Sequence, residues 1–208
     1  MNTNFLDSVT NFLKKRTFEF VGLILISTSI GLAIAFTTYS PEDPSFVYGD
    51  REFEIKNFFG IYGSSIADFL LQSFGIVSFL ILANFLFWGI SLIIRKEIKR
   101  IILKLFLMVS YLVFGTIFIY ITFNNSFWLI DNGNSGFVGK IGYEFLSTWF
   151  PYIDNTYPAY GMLLLTLIFF IFSADLNIKK IITGTFSIII SLFRRKENTV
   201  PDVNLEAD

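Results

Sequence analysis

The chain has 208 residues, of which 53% are hydrophobic, 27 are Phe and only 16% are charged. With a mean hydropathy of +0.61, it carries more apolar surface than a soluble fold of this size can cover, whereas a bilayer can cover it. The net charge of −1 points to no polyanionic partner, and the absence of Cys and His excludes disulfides, thiolate nucleophiles, Cys-ligated zinc and the commonest general base.

Residues 1–17 read as a cytoplasmic segment carrying Lys14, Lys15 and Arg16. Four long apolar runs follow, each near the roughly 20 residues that cross about 30 Å of hydrocarbon. The spans are placed at about 18–39, 75–94, 103–123 and 157–174. On the first, Ser27, Gly31 and Ala35 recur every four residues, a small-residue stripe suited to close helix packing within the bundle or, as the less favoured alternative, between subunits. On the second, Asn84 is the most polar residue deep in any span, and an interhelical hydrogen bond is its favoured role over a substrate contact.

A fifth apolar run, 181–193, has 13 residues and reaches only about 20 Å, too short to cross. Thr183, Ser187 and Ser191 give it a polar stripe between flanking basic residues, so an interfacial helix is expected at about 177–195. Residues 196–208 are polar and read as the start of a disordered cytoplasmic linker. Thirteen of the 16 Lys and Arg residues fall on one side of the four spans, among them Lys14, Lys15, Arg16, Arg95, Lys96, Lys99 and Arg100. That side is cytoplasmic by the positive-inside rule, which puts both termini inside. The expected fold is therefore an all-α integral membrane protein with four transmembrane helices.

The two outer loops share a pattern at a constant offset of 76 residues: Gly60, Gly63, Asp68, Phe69, Leu70 and Phe74 correspond to Gly136, Gly139, Glu144, Phe145, Leu146 and Phe150. Each copy reads as an amphipathic helix on the outer surface, the first turning into the membrane at Gly75 and the second at Pro151. A straight helix from 61 to 94 would be about 51 Å long, more than the bilayer accepts. Duplication would make this a parallel two-fold repeat; chance in a chain rich in Gly, Phe and Leu is the other reading. No phosphate loop is present, since the nearest match, 134–141, lacks Gly at 134 and Ser or Thr at 141.

Three stretches carry a resemblance. Tyr39-Ser40-Pro41-Glu42-Asp43-Pro44-Ser45 follows the first span directly. Residues 60–75 supply Gly-x-x-Gly, Ala67-Asp68, Leu70-Leu71 and Phe74-Gly75. A span with Trp88 followed by basic residues comes next. Over about residues 15–195 this is similar to the N-terminal four-helix membrane domain of the FtsK/SpoIIIE family of bacterial DNA translocases. The resemblance implies a septal anchor in the inner membrane that takes part in cell division and chromosome segregation. It also implies divisome partners for a surface built on Tyr39, Pro41, Asp43, Pro44, Asp68 and Glu144, and hexamer formation. DNA, ATP and magnesium would be handled by a motor beyond residue 208, and the chain reads as a fragment or truncated form with no catalytic, cofactor or metal residues of its own. A small transporter or channel subunit is the alternative, but it wants charged groups at mid-membrane, and the span cores offer only Asn84.

Overall fold

The computed structural model describes residues 3–46, 54–97, 99–126, 129, 131–176, 183 and 190. Among them run six α-helices and one 3₁₀ turn: α1 (Thr3–Thr37), α2 (Gly60–Phe74), the 3₁₀ turn (Gly75–Ser78), α3 (Phe79–Arg95), α4 (Ile101–Phe123), α5 (Gly136–Trp149) and α6 (Thr156–Ser173). The described residues include no strand. Residues 1–175 make one unit and 176–208 a second. Of the second unit only Leu176, Thr183 and Ile190 are described, the last two in helical conformation, so the interfacial helix and the linker expected from sequence lie largely outside the described residues.

Four helical segments are long and apolar enough to cross a membrane: Asp7–Thr37, Gly60–Arg95, Ile101–Phe123 and Thr156–Ser173. The chain is thus an all-α, multi-pass membrane protein. Helix α1 has 35 residues and a length of about 52 Å, so its first turns project beyond the hydrocarbon, with Lys14, Lys15 and Arg16 on the projecting part. Only 22% of the most apolar 18 residues of the first span and 17% of the last span are buried in the protein, which leaves Phe20, Leu23, Leu164 and Phe172 among the side chains turned to lipid.

The break after α2 is enforced by backbone geometry. Gly75 has φ +57°, a left-handed conformation that favours glycine, and a Cβ there would lie 1.8 Å from the Asn134 carbonyl oxygen. The next amide, Ile76 N–H, donates to that same carbonyl at 2.9 Å. Gly136, with φ +65°, closes the other side of this crossing, since its Cβ would meet the Ser73 backbone at 2.5 Å. Helices α2 and α5 therefore begin 76 residues apart, at Gly60 and Gly136, and pack on each other near the crossing. They leave it differently: α2 passes through the 3₁₀ turn into α3, whereas α5 ends in the turns at 150–155 before α6.

Helix α1 packs along α3 where both lack side chains. A Cβ on Gly22 would sit 2.8 Å from the Gly89 carbonyl, and one on Gly89 would sit 2.7 Å from the Gly22 carbonyl. Further along, the Ser29 hydroxyl donates to the Leu82 carbonyl at 2.8 Å. The Ser27–Gly31–Ala35 stripe lies only partly in this contact. Ala35 is buried, but Ser27 is exposed and nothing lies within 4 Å of a Cβ placed on Gly31. Helix α4 joins α6 through edge contacts of Tyr111 with Phe170, and joins α5 where Gly139 meets the Thr116 carbonyl.

Candidate functional site

Three layers of bonded polar side chains stand out along the bundle. The first, at the acidic end, is built by the loop after α1. The Asp43 carboxylate accepts the backbone N–H of Lys56 at 2.9 Å through one oxygen and that of Asn57 at 2.8 Å through the other. The Asn57 side chain then donates to the Ala35 carbonyl at 2.9 Å, satisfying one of the carbonyls a helix end leaves without a partner. The Ser64 hydroxyl donates to the Pro44 carbonyl at 2.6 Å, and Phe58 N–H donates to the Thr38 hydroxyl at 3.2 Å. The Ser-Pro-Glu-Asp-Pro-Ser segment is therefore a clasp that fastens the first outer loop to the end of α1 and the start of α2. On its outer side Glu42 pairs with Lys56 at 2.5 Å, which holds the Glu42 carboxyl below its usual range and raises the Lys56 ammonium above its own.

Beside the clasp, the Tyr39 hydroxyl donates to Asp68 at 3.0 Å and accepts from Gln72 at 3.2 Å, and Asn132 donates to the Gln72 amide oxygen at 2.9 Å. This chain ties α1, α2 and the second outer loop together. Burial pushes the Tyr39 phenol above its ordinary range. Ser64, Asp68 and Gln72, the polar face of α2, thus point into the protein, while Ile61, Tyr62, Ile66 and Phe69 face outward. On α5 Phe137, Ile141, Phe145 and Trp149 make a like outward apolar face.

The surface proposed from the sequence is therefore split. Asp43 and Pro44 are buried, Tyr39 and Asp68 are bonded to each other, and only Pro41 and Glu144 stand exposed. The two acids at equivalent places in the 76-residue pattern do different things, because no partner like Tyr39 bonds the Glu144 carboxylate among the described residues. Asn57 and Asn132 were not singled out from the sequence. Their only signal is that each is an amide close to a turn, which is too common to select them.

The second layer lies inside the bundle. Asn84 is fully buried and donates to the Tyr111 hydroxyl at 3.2 Å and to the Ser173 hydroxyl at 2.9 Å. The Ser173 hydroxyl in turn donates to the Lys104 carbonyl at 2.9 Å, and Trp88 Nε1–H donates to the Ser173 carbonyl at 2.7 Å. Asn84 thus pins α3 to α4 and α6.

The third layer is the basic end. Glu19 on α1 pairs with Lys96 at the end of α3 and with Arg16 at 2.6 Å. Asp175 takes Arg95 at 2.5 Å and Lys104 at 3.3 Å, and Glu97 takes Lys99 at 3.1 Å. Lys96 and Arg100 turn the α3–α4 connection in left-handed conformations, with φ +56° and +55°. The ammonium of Lys14 lies over the Phe18 ring at 5.9 Å, and Lys15 is exposed. Among the described residues no group of His, Asp and Glu has the arrangement of a metal site.

Taken together, these layers define a helical membrane domain of four spans, in which buried Ser29, Asn84 and Ser173 hold one helix to another. The chain belongs to the family described as the 4TM region of DNA translocase FtsK/SpoIIIE, which matches residues 14–185. It is 30% identical to the DNA translocase FtsK of Azospirillum brasilense over 90 residues, 43% of this chain and 14% of that protein. It is 28% identical to the DNA translocase FtsK of Rhizobium meliloti (strain 1021) over 147 residues, 67% of this chain and 16% of that protein. The chain therefore matches about a sixth or less of the length of these relatives. No solved structure matches it.

Proposed function

We propose that this chain is the membrane anchor of a DNA translocase, held in the bacterial inner membrane at the division septum with both ends in the cytoplasm. The family match across residues 14–185 carries the reading. The distribution of charge supports the orientation, because the basic layer at Arg16, Arg95, Lys96, Lys99 and Arg100 sits at one end of the bundle and the Asp43 clasp at the other. In this reading the ATP- and magnesium-dependent motor that handles DNA is a separate region of the same protein. The anchor gathers six copies, and its acidic end meets other division proteins through exposed Pro41 and Glu144.

A fluorescent fusion imaged in dividing cells tests the location. A band at the constriction supports the anchor, and an even signal around the whole membrane refutes septal targeting. The chain has no native Cys, so single cysteines at 46 and 99 report orientation directly. Impermeant labelling of position 99 rather than 46 in intact spheroplasts refutes the topology. The transporter alternative loses ground because Asn84 spends both its N–H groups on neighbouring helices. Ion or solute flux through liposomes containing the purified chain would restore it.

A further inference from the structure

At the basic end, the α3–α4 connection, the first turns of α4 and the end of α6 enclose a cavity of about 560 Å³, within the size range of small-ligand sites. Its polar wall carries four cations, Arg95, Lys99, Arg100 and Lys104, against two carboxylates, Glu97 and Asp175. The ion pairs are unevenly shared. Asp175 is divided between Arg95 and Lys104, and Glu97 is taken by Lys99. The Arg100 guanidinium has no carboxylate within ion-pair distance among the described residues, and four cations against two carboxylates leave the wall with two positive charges in excess.

The rest of the lining is apolar. Leu103 and Leu107 stand one turn apart on α4, on the same face as Arg100 and Lys104, and share the cavity with Phe172 of α6. This strip runs from the cationic rim toward the middle of the span and joins a surface already turned to lipid, where Ile102 is 81% exposed and Phe106 66%. A cationic rim over an apolar strip open to the bilayer matches a molecule with an anionic head and a hydrocarbon tail.

We propose that this cavity is a binding site for one anionic phospholipid, whose phosphodiester lies against Arg100 and Lys99 and whose acyl chain lies along Leu103, Leu107 and Phe172. A free phosphate satisfies the cations but leaves the apolar strip bare, and a zwitterionic lipid brings its own cation to an already positive rim. The proposal concerns the basic end of the bundle and is independent of which side of the membrane that end faces. It is also independent of septal targeting.

The test uses the full chain, purified and stripped of lipid in detergent, with native mass spectrometry counting bound lipid. Dioleoylphosphatidylglycerol binds one molecule per chain and more tightly than dioleoylphosphatidylcholine. The double variant Lys99→Gln/Arg100→Gln, which changes two exposed side chains, loses about thirtyfold in affinity for phosphatidylglycerol. Leu103→Trp, which fills the strip and leaves the charge alone, weakens binding too, while Lys14→Gln/Lys15→Gln leaves it unchanged. Three outcomes overturn the proposal: equal binding of the two lipids, equal losses from the Lys14/Lys15 and Lys99/Arg100 pairs, or retained binding in both Lys99→Gln/Arg100→Gln and Leu103→Trp. Displacement of the lipid by glycerol 3-phosphate at matched concentration overturns the lipid assignment and makes the cavity a site for soluble phosphates.

Discussion

Replacing Asp43 with Ala should open the first outer loop without unfolding the bundle. The carboxylate holds two backbone amides, and one of them belongs to Asn57, which is 4% exposed. A buried amide left without an acceptor costs about 1–3 kcal/mol, whereas the Lys56 amide is only partly buried and recovers some of its loss from water. The combined cost is about 2–4 kcal/mol, and at 1.4 kcal/mol per decade the loop should open about 30- to 1000-fold more often. Hydrogen exchange followed by mass spectrometry on peptides covering 54–60 reads this directly. Asp43→Asn keeps one carbonyl oxygen and should lose protection by only about tenfold. Glu42→Gln removes an exposed ion pair and should leave exchange unchanged. If Asp43→Ala exchanges within about threefold of the parent, or if Glu42→Gln does as much damage, the clasp is not what holds this loop.

Three further outcomes follow from the same geometry. Gly89→Val should destabilise the detergent-solubilised chain by about 1–3 kcal/mol, because its side chain meets the α1 backbone, while Gly31→Ala should be neutral or stabilising; a thermal melt that reverses this order refutes the α1–α3 contact. Asn84→Ala should cost about 0.6–1.7 kcal/mol, the range for interhelical hydrogen bonds in membranes, and a larger loss in unfolding titrations points to a role beyond pinning helices. Tyr39→Phe should cost about 1–2 kcal/mol below pH 10. The folded phenol ionises at higher pH than the unfolded one, near 10, so the Tyr39 contribution is fully present below that pH and fades above it. Parent and variant melting curves should converge between about pH 10 and 12, and curves that stay parallel refute the assignment.

Much of the architecture was legible from local chemistry. A long uncharged run has few soluble alternatives, so the number of spans followed from length and hydropathy alone. The break at Gly75 was legible because a helix from 61 to 94 does not fit the bilayer, and the backbone there does take a left-handed turn. The Ser-Pro-Glu-Asp-Pro-Ser segment was legible as a signature but not as a clasp, since Asp43 acts on amides 13 and 14 residues away. Asp68 and Glu144 looked alike in sequence, and only the position of Tyr39 29 residues upstream separates a bonded acid from an exposed one.

What the sequence by itself determined is the helical class, the four spans, the segregation of basic residues and membership in the translocase membrane family. What only the tertiary structure decided is which face of each helix meets another helix. In water a helix shows its inner side by its apolar stripe, but in a bilayer lipid-facing and protein-facing sides are both apolar, so periodicity carries little of that information. Small residues at Ser27 and Gly31 were therefore as plausible a contact as Gly22, and only the approach of the Gly89 backbone decided between them.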